Sequence, residues 1–271
     1  MGNGHQRHRP QSLLFSLFGG VVALRDDVPP IPTAVFLGLL GELGVAEAAT
    51  RATLARMTRR GLLERIQVGR AAQYRLTPAA EALVRDAGER VTSRSPFEHP
   101  DGEWTLLSYS MPESRRDLRH RVRATLTWAG FGSLRDGLWI APGTVDVATV
   151  MADSGLTEAL DHADWFAASP LPGVDVEAIV RRAWPIEEIR TVHLDFLQTW
   201  ESLPDGEPLG LITLLGADWL RVLRSDPGLP ACYLPDDWPA ARSAAAYRRS
   251  YDALVLAARR ALDRKLSLVA P

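Results

Sequence analysis

The stretch RATLARMTRRGLLERIQVGRAAQYRLT, Arg51–Thr77, decides how the N-terminal part of the chain folds. It holds seven arginines against one glutamate, in a chain whose formal net charge is only −2. Its period changes midway. On a helical wheel at about 100° per residue with Thr50 as origin, Thr50, Leu54, Met57 and Gly61 fall on one side. Ala48, Ala52, Ala55, Arg56 and Arg59 fall opposite, with Arg51 on the flank. From Leu63 the period drops to two. Ile66 and Val68, then Ala72, Tyr74 and Leu76, are expected on one face, and Arg65, Gln67, Gln73 and Arg75 on the other. Gly69 and Arg70 sit at the bend, which makes this a β-hairpin with an arginine at its tip.

Upstream the pattern stays helical. Leu13, Leu14, Leu17 and Phe18 are spaced for a first helix. Thr33 is expected to cap a second, whose Val35, Phe36, Leu39, Leu40 and Leu43 form an apolar stripe. Gly44 ends it, and after a sharp turn a third helix is expected from about Ala46 to Arg60. Two helices, a tight turn, a basic third helix and a basic hairpin describe a winged helix-turn-helix, in which the third helix enters the DNA major groove and the hairpin lies on phosphates or a neighbouring groove. Alanines let the helix backbone approach closely, and long guanidinium groups reach base edges and phosphates. The expected contacts are Thr50, Arg51 and Arg56 for base edges and Arg59, Arg65, Arg70 and Gln73 for phosphates or groove walls, with Thr53 and Gln67 in the same set. The blander alternatives are a solvated basic surface and a winged helix that binds protein.

Charge is divided unevenly along the chain. Residues 1–95 hold 13 arginines and 8 acids, a net of +5, and the other 176 carry −7. A basic end joined to an acidic remainder suggests that one end meets a polyanion while the other does something else. The boundary falls in the polar, proline- and glycine-containing stretch VTSRSPFEHPDGEW, 91–104. With 271 residues and 46% hydrophobic content, the chain can bury a sizeable core in two or three modest domains. No run approaches the roughly 18–20 apolar residues of a membrane span. The basic N-terminus ahead of an apolar run has the outline of a secretory signal, but Ser16, Gly19 and Gly20 interrupt it and no small-x-small site follows. The single cysteine, Cys232, fits a reducing compartment. These features together lead to the expectation of a soluble, cytoplasmic protein with no membrane partner.

Beyond the linker, 104–111 is expected as a strand, 114–130 as a helix, 137–143 as a strand after a short turn, then a helix from Val145 and a closing strand in HADWFAAS. That order suits a split βαβ sheet. Such a sheet can support nuclease chemistry when carboxylates hold a divalent metal, but the first strand has no Asp or Glu between Thr105 and Met111. No metal and no cleavage are therefore expected. Glycine-rich phosphate loops, HExxH, CxxC and GxSxG are all missing, so no catalytic residue and no cofactor are assigned. Arg115, Arg116, Arg119, Arg121 and Arg123 on the 114–130 helix read first as a solvated face, and alternatively as a hold on effector phosphates or DNA. From Asp175 the pattern is helical again, broken at Pro185. Trp184, Trp200, Trp219 and Trp238 are expected mainly as core, although an indole can also stack on an aromatic acyl group or a purine.

Three segments carry a resemblance to a known family: ATRATLARMTRRGLLERIQVGRAAQYRLTPAAEAL, GFGSLRDGLWIAP at 130–142, and RSDPGLPACYLPDDWP at 224–239. Through them Ser12–Leu262 resembles the PaaX family of bacterial transcriptional repressors. The resemblance implies an α+β chain in three parts: a winged-helix DNA-binding domain (10–92), a ferredoxin-like central domain related in fold to a CRISPR adaptation nuclease (100–172), and a helical C-terminal domain (173–271). It also implies a homodimer on a pseudo-palindromic double-stranded operator, released by an aryl-acyl-CoA thioester such as phenylacetyl-CoA. The candidate effector positions are Trp184, His193, Trp219 and Arg221. Trp219 and Arg221 match a family pattern, whereas His193 departs from the tyrosine the family favours. Two alternatives stay open, a constitutive DNA-binding or protein-interaction module without an effector and a metal-dependent nuclease.

Overall fold

The computed structural model describes residues 8–22, 25, 28–69, 71–93, 95–97 and 103–269. It is a mixture of helices and two antiparallel sheets, an α+β chain. The chain divides into two compact units. One comprises Met1–Arg94, Phe196–Leu220 and Ser243–Pro271, the other Ser95–Asp195 and Arg221–Arg242.

In the first unit, α1 (Pro10–Leu17) and a following π-helical turn (Phe18–Val22) bury Leu13, Leu14, Leu17, Phe18 and Val21. The apolar stripe read in the sequence recurs in α2 (Thr33–Glu42), which buries Val35, Phe36, Leu39 and Leu40. Thr33 is the first residue of α2 and does not cap it; Pro32 precedes the helix, and the Thr33 hydroxyl donates to the Ala72 carbonyl at 2.7 Å. That bond ties the start of α2 to β3 (Ala71–Leu76), which lies between β1 (Ile31–Pro32) and β2 (Leu63–Val68). Gly44 ends the α2 turn at φ +78°, with Val45 N–H donating to Leu40 O at 2.9 Å and Gly44 N–H to Gly41 O at 3.0 Å. This pair of bonds closes a helix only when the residue past the cap is left-handed, which glycine adopts without strain. It sets the sharp turn into α3 (Glu47–Arg59).

After the hairpin comes a helix that apolar period alone does not show, α4 (Pro78–Thr92). Its signal was present in the sequence: Thr77 accepts from Ala80 N–H at 3.3 Å, and Pro78 occupies the first turn. The C-terminal segments share this unit's core. Helix α8 (Ile186–Trp200) contributes Phe196 and Trp200, α9 (Pro208–Ser225) contributes Trp219, and α10 (Ala240–Val269) contributes Tyr247. Ser16 donates to Thr213 O at 2.7 Å and Tyr251 to Gly20 O at 3.1 Å, so both ends of the chain are joined here.

The second unit holds β4 (Trp104–Tyr109), α5 (Arg116–Trp128), β5 (Gly132–Arg135), β6 (Leu138–Pro142), α6 (Val147–Asp153) and β7 (Ala163–Ala168). The sheet order is β5-β6-β4-β7, antiparallel throughout. One face packs Leu107, Tyr109 and Trp139 on Leu118, Val122 and Leu126 of α5 and on Val147 and Met151 of α6. The other packs Trp104 and Ile140 on Val180 of α7 (Val176–Ala183), Trp184, Ile189 and Leu229. Pro185 separates α7 from α8, as its missing N–H requires. Among the described residues no helix is long and apolar enough to cross a membrane.

Candidate nucleic-acid interface

Helix α3 presents two chemically distinct faces. Glu47 lies in its first turn and Arg56 and Arg59 in its last, the polarity the helix dipole favours. Thr50, Thr53, Leu54 and Met57 are buried, at 2% exposure or less. Arg51, Ala52, Ala55, Arg56 and Arg59 are exposed. The arginine-and-alanine face expected from the wheel is thus open to solvent. Thr50 and Thr53 are not part of it, which corrects their inclusion among the DNA contacts. Together with Leu54 and Met57 they complete an i, i+3, i+4, i+7 stripe, and their methyl groups pack inward with the apolar residues. Their hydroxyls are used locally: Thr50 donates to Ala46 O at 3.4 Å, and Thr53 accepts from Arg56 at 3.2 Å.

The hairpin forms where expected, with one reversal. Antiparallel partners share a face, and the register sets Leu63 opposite Leu76, Arg65 opposite Tyr74 and Gln67 opposite Ala72. Arg65 and Gln67 therefore lie on the face of buried Tyr74 and Leu76, while Ile66 and half-buried Gln73 share the other face with Glu64 and Arg75. Buried Leu63 fixes this alternation from the start of β2, so the strand is turned over relative to the face expected from Ile66 and Val68. Arg65 and Gln67 are nonetheless exposed, because they lie toward the hairpin tip. Arg65 donates to Gln67 at 3.3 Å and Gln67 to Gly69 O at 2.9 Å. Arg70 lies outside the described residues.

Charge pairing sorts the cations. Arg51 is bound to Glu47 one turn earlier, at 2.7 Å, and Arg75 to Glu64 across the hairpin at 2.8 Å, a bond that raises the Arg75 pKa. Arg56, Arg59, Arg60 and Arg65 have no acidic partner among the described residues. The arginine-rich helix α5 contrasts with this. Arg115 pairs with Glu158, Arg123 with Asp136, Arg119 donates to Met111 O and Arg121 to Gly155 O. Three guanidinium groups of α5, and that of Arg115 just before it, are engaged within their own unit.

The four candidate effector positions do not form one constellation. Trp219 is core in the first unit: it stacks on Tyr247 at 4.7 Å and donates to Val91 O at 3.2 Å. In the second unit, Arg221 pairs with Asp195 at 3.5 Å, and fully buried His193 meets Asp226 at 2.9 Å. Trp184 is buried too, and one side of it lines an open cleft. Among the described residues no three His, Cys, Asp or Glu side chains gather as metal ligands do.

An exposed arginine face on a short helix, in which Arg56 and Arg59 have no acidic partner among the described residues, with a polar hairpin beside it and an antiparallel α/β unit following in sequence, defines the class of modular α+β chains built around a basic helix. Three family models match in chain order: "PaaX-like protein" over residues 9–80, "PaaX protein central Cas2-like domain" over 98–180, and "PaaX-like protein C-terminal domain" over 184–264. The chain is 27% identical over 243 residues to the transcriptional repressor PaaX of Escherichia coli strain K12, covering 84% of this chain and 74% of that protein. Among solved structures it is similar to the uncharacterized protein Rv0674 from Mycobacterium tuberculosis, at TM-score 0.61 and 23% identity, covering 94% of this chain and 98% of that one. The chain belongs to the PaaX family.

Proposed function

We propose that this protein is a DNA-binding transcriptional repressor of the PaaX type, a cytoplasmic regulator with no catalytic role. In this reading residues 10–92 form a winged helix-turn-helix: α2 and α3 are its helix pair, α3 enters the major groove, and the β2–β3 hairpin is the wing. The observation that carries it is the sorting of α3, with Arg51, Arg56 and Arg59 on the open face and the apolar stripe, including Thr50 and Thr53, turned inward. Exposed guanidinium groups over small alanines supply the donors and the close approach that groove reading needs. The kinship with a transcriptional repressor supports the same reading.

The central segment is proposed as a ferredoxin-like domain, which its strand order supports. The helical segment from residue 173 would complete the three-part division. One reader of this size covers a short half-site, and the reading therefore includes a homodimer on a pseudo-palindromic operator. An aryl-acyl-CoA such as phenylacetyl-CoA is the effector implied by the family, released operator being its readout. It must bind the two states of the repressor with different affinity to act at all.

The test begins by selecting binding sites from random-sequence duplexes with the whole protein, followed by mobility-shift titrations. An inverted-repeat site bound by two chains is expected, with affinity lowered by the CoA ester. Recovery of no sequence preference, together with unchanged affinity in an Arg56→Ala/Arg59→Ala double variant, would remove the basis of the reading.

A further inference from the structure

The second unit contains a cleft of about 230 Å³ that neither the helix α3 surface nor the proposed operator reading uses. Its walls are Phe131, Trp184, Pro185 and Ile189, and Arg224 and Glu188 also line it. The apolar wall is rigid by construction. The Trp184 indole N–H donates to Gly130 O at 3.2 Å, and a Cβ on Gly132 would stand 2.6 Å from the same indole ring. Backbone and ring therefore meet with no space between them.

Arg224, an exposed residue, is the one cation among the residues that line the cleft. Its guanidinium lies 4.9 Å over the Trp128 ring, and among the described residues no carboxylate comes within ion-pairing distance of it. Partial burial lowers its pKa from the ordinary arginine value, yet a guanidinium stays charged at neutral pH. Stacking on an exposed indole is a common surface arrangement and accounts for the position over Trp128. The same cation also lines an apolar hollow, which is how a ligand site presents a few polar groups in a mostly apolar lining. Glu188 lines the same cleft and forms no ion pair with Arg224.

We propose that this cleft binds a compact organic monocarboxylate, with the Arg224 guanidinium taking the carboxylate and Phe131, Trp184 and Ile189 holding a single ring or branched apolar body. The size follows from the volume, below the roughly 300–1,000 Å³ of drug-sized sites. A whole CoA ester is larger than the cleft, so the inference stands apart from the effector reading above. Glu188 repels any anion in the same space and a dianion about twice as strongly, so the one Arg224 guanidinium can offset a single negative charge at most. A planar guanidinium suits a carboxylate through two parallel N–H bonds.

The test is calorimetry and tryptophan fluorescence on the full chain with benzoate and 3-phenylpropanoate, benzyl alcohol as a neutral control and phenyl phosphate as a dianion at about pH 8. The acids are expected to bind at one site per chain, with the alcohol and the phosphate each at least about tenfold weaker, a difference of about 1.4 kcal/mol. Arg224→Gln should remove acid binding with an unchanged circular-dichroism spectrum, and Glu188→Gln should improve the phosphate more than the acids. No saturable acid binding, equal binding of acid and alcohol, or a folded Arg224→Gln variant with full acid affinity would each overturn the assignment. Should Arg224→Gln fail to fold, the Glu188→Gln selectivity decides: an unchanged acid-to-phosphate ratio overturns it. DNA selection in the absence of acid reports on the operator reading separately.

Discussion

The Thr53 hydroxyl, buried in α3, accepts a hydrogen bond at 3.2 Å from the guanidinium of Arg56 on the exposed side. A core residue thereby holds a surface side chain in one orientation, which lowers the entropy lost when that side chain meets a ligand. Arg56→Ala is expected to weaken binding to a selected operator by about 1–3 kcal/mol, the range of a bidentate base contact. Thr53→Val keeps the buried shape and removes only the anchor, so the expected loss is smaller, on the order of 0.5–1.5 kcal/mol. Fluorescence anisotropy on operator and on random duplex distinguishes the two classes of contact: both losses should shrink on random DNA if Arg56 reads a base.

If α3 reads DNA as proposed, Glu47 competes with it for Arg51. The pair is exposed, and ion pairs of this i, i+4 kind are worth little to the fold, about 0.3–0.5 kcal/mol. Glu47→Gln should therefore leave thermal stability nearly unchanged while removing a negative charge from the same helix face and freeing a guanidinium. Tighter DNA binding is the expected result. The dependence of log affinity on log salt should also steepen, by roughly one unit for each further phosphate that the freed guanidinium neutralises. Arg51→Gln should do the reverse.

Much of this was legible because helical period and burial agree closely in the N-terminal part: Leu13, Phe36, Leu40, Leu54 and Met57 are all core, as their spacing required. The order of strands and helices in the second unit was equally legible, since β4, α5, β6, α6 and β7 each carry an unmixed pattern. Three features escaped for physical reasons. Threonine is polar in a hydropathy pattern but packs by its methyl, so Thr53 and also Thr50, which the wheel sets on the side of Leu54 and Met57, read as DNA contacts. A strand whose outward residues are Ile66 and Val68 inverts the usual alternation, and only the cross-strand register reveals it. The cleft beside Arg224 joins residues from 127 to 227, a proximity no local pattern encodes.

Asp146 caps α6, accepting from Thr149 N–H at 3.1 Å and from the Thr149 hydroxyl at 2.8 Å, and these bonds lower its pKa. A carboxylate whose pKa is depressed in the folded state adds stability that is complete above its unfolded pKa and fades as pH falls through the folded value. Asp146→Asn does not titrate but can still accept at the cap. The melting-temperature gap between wild type and Asp146→Asn should accordingly be widest near neutral pH and close in acid. A gap that is constant across the titration would mean that the charge contributes nothing.

Gly132 admits no side chain. A Cβ there would lie 2.6 Å from the Trp184 ring, 2.8 Å from the Ala183 Cβ and 2.8 Å from the Ala183 carbonyl oxygen. Two of those neighbours are anchored, one in backbone and one by the indole hydrogen bond to Gly130. Gly132→Ala is expected to cost about 1–3 kcal/mol, as overpacking does elsewhere. Urea unfolding gives the cost, and a changed near-ultraviolet circular-dichroism band would report displacement of Trp184.

His193 and Asp226 test how far a buried polar pair holds the second unit together. His193 is 0% and Asp226 1% exposed, and their bond is 2.9 Å long. The other oxygen of Asp226 accepts from Gly228 N–H at 2.7 Å, while Phe97 and Trp238 meet the imidazole edge-on at centroid distances of 5.2 and 6.0 Å. The pair thus pins the turn after α9 to the middle of α8. His193→Leu fills similar space but takes a donor from a carboxylate that water cannot reach, at an expected cost of roughly 3 kcal/mol. Asp226→Asn keeps an acceptor for Gly228 and offers the imidazole an amide N–H in exchange, so its cost should be lower. The His193→Leu/Asp226→Leu double variant should cost less than the sum of the two leucine replacements, because both single variants break the same His193–Asp226 bond. Unfolding followed by tryptophan fluorescence measures all of them. Strict additivity in that cycle would show that the two side chains stabilise the unit independently of one another.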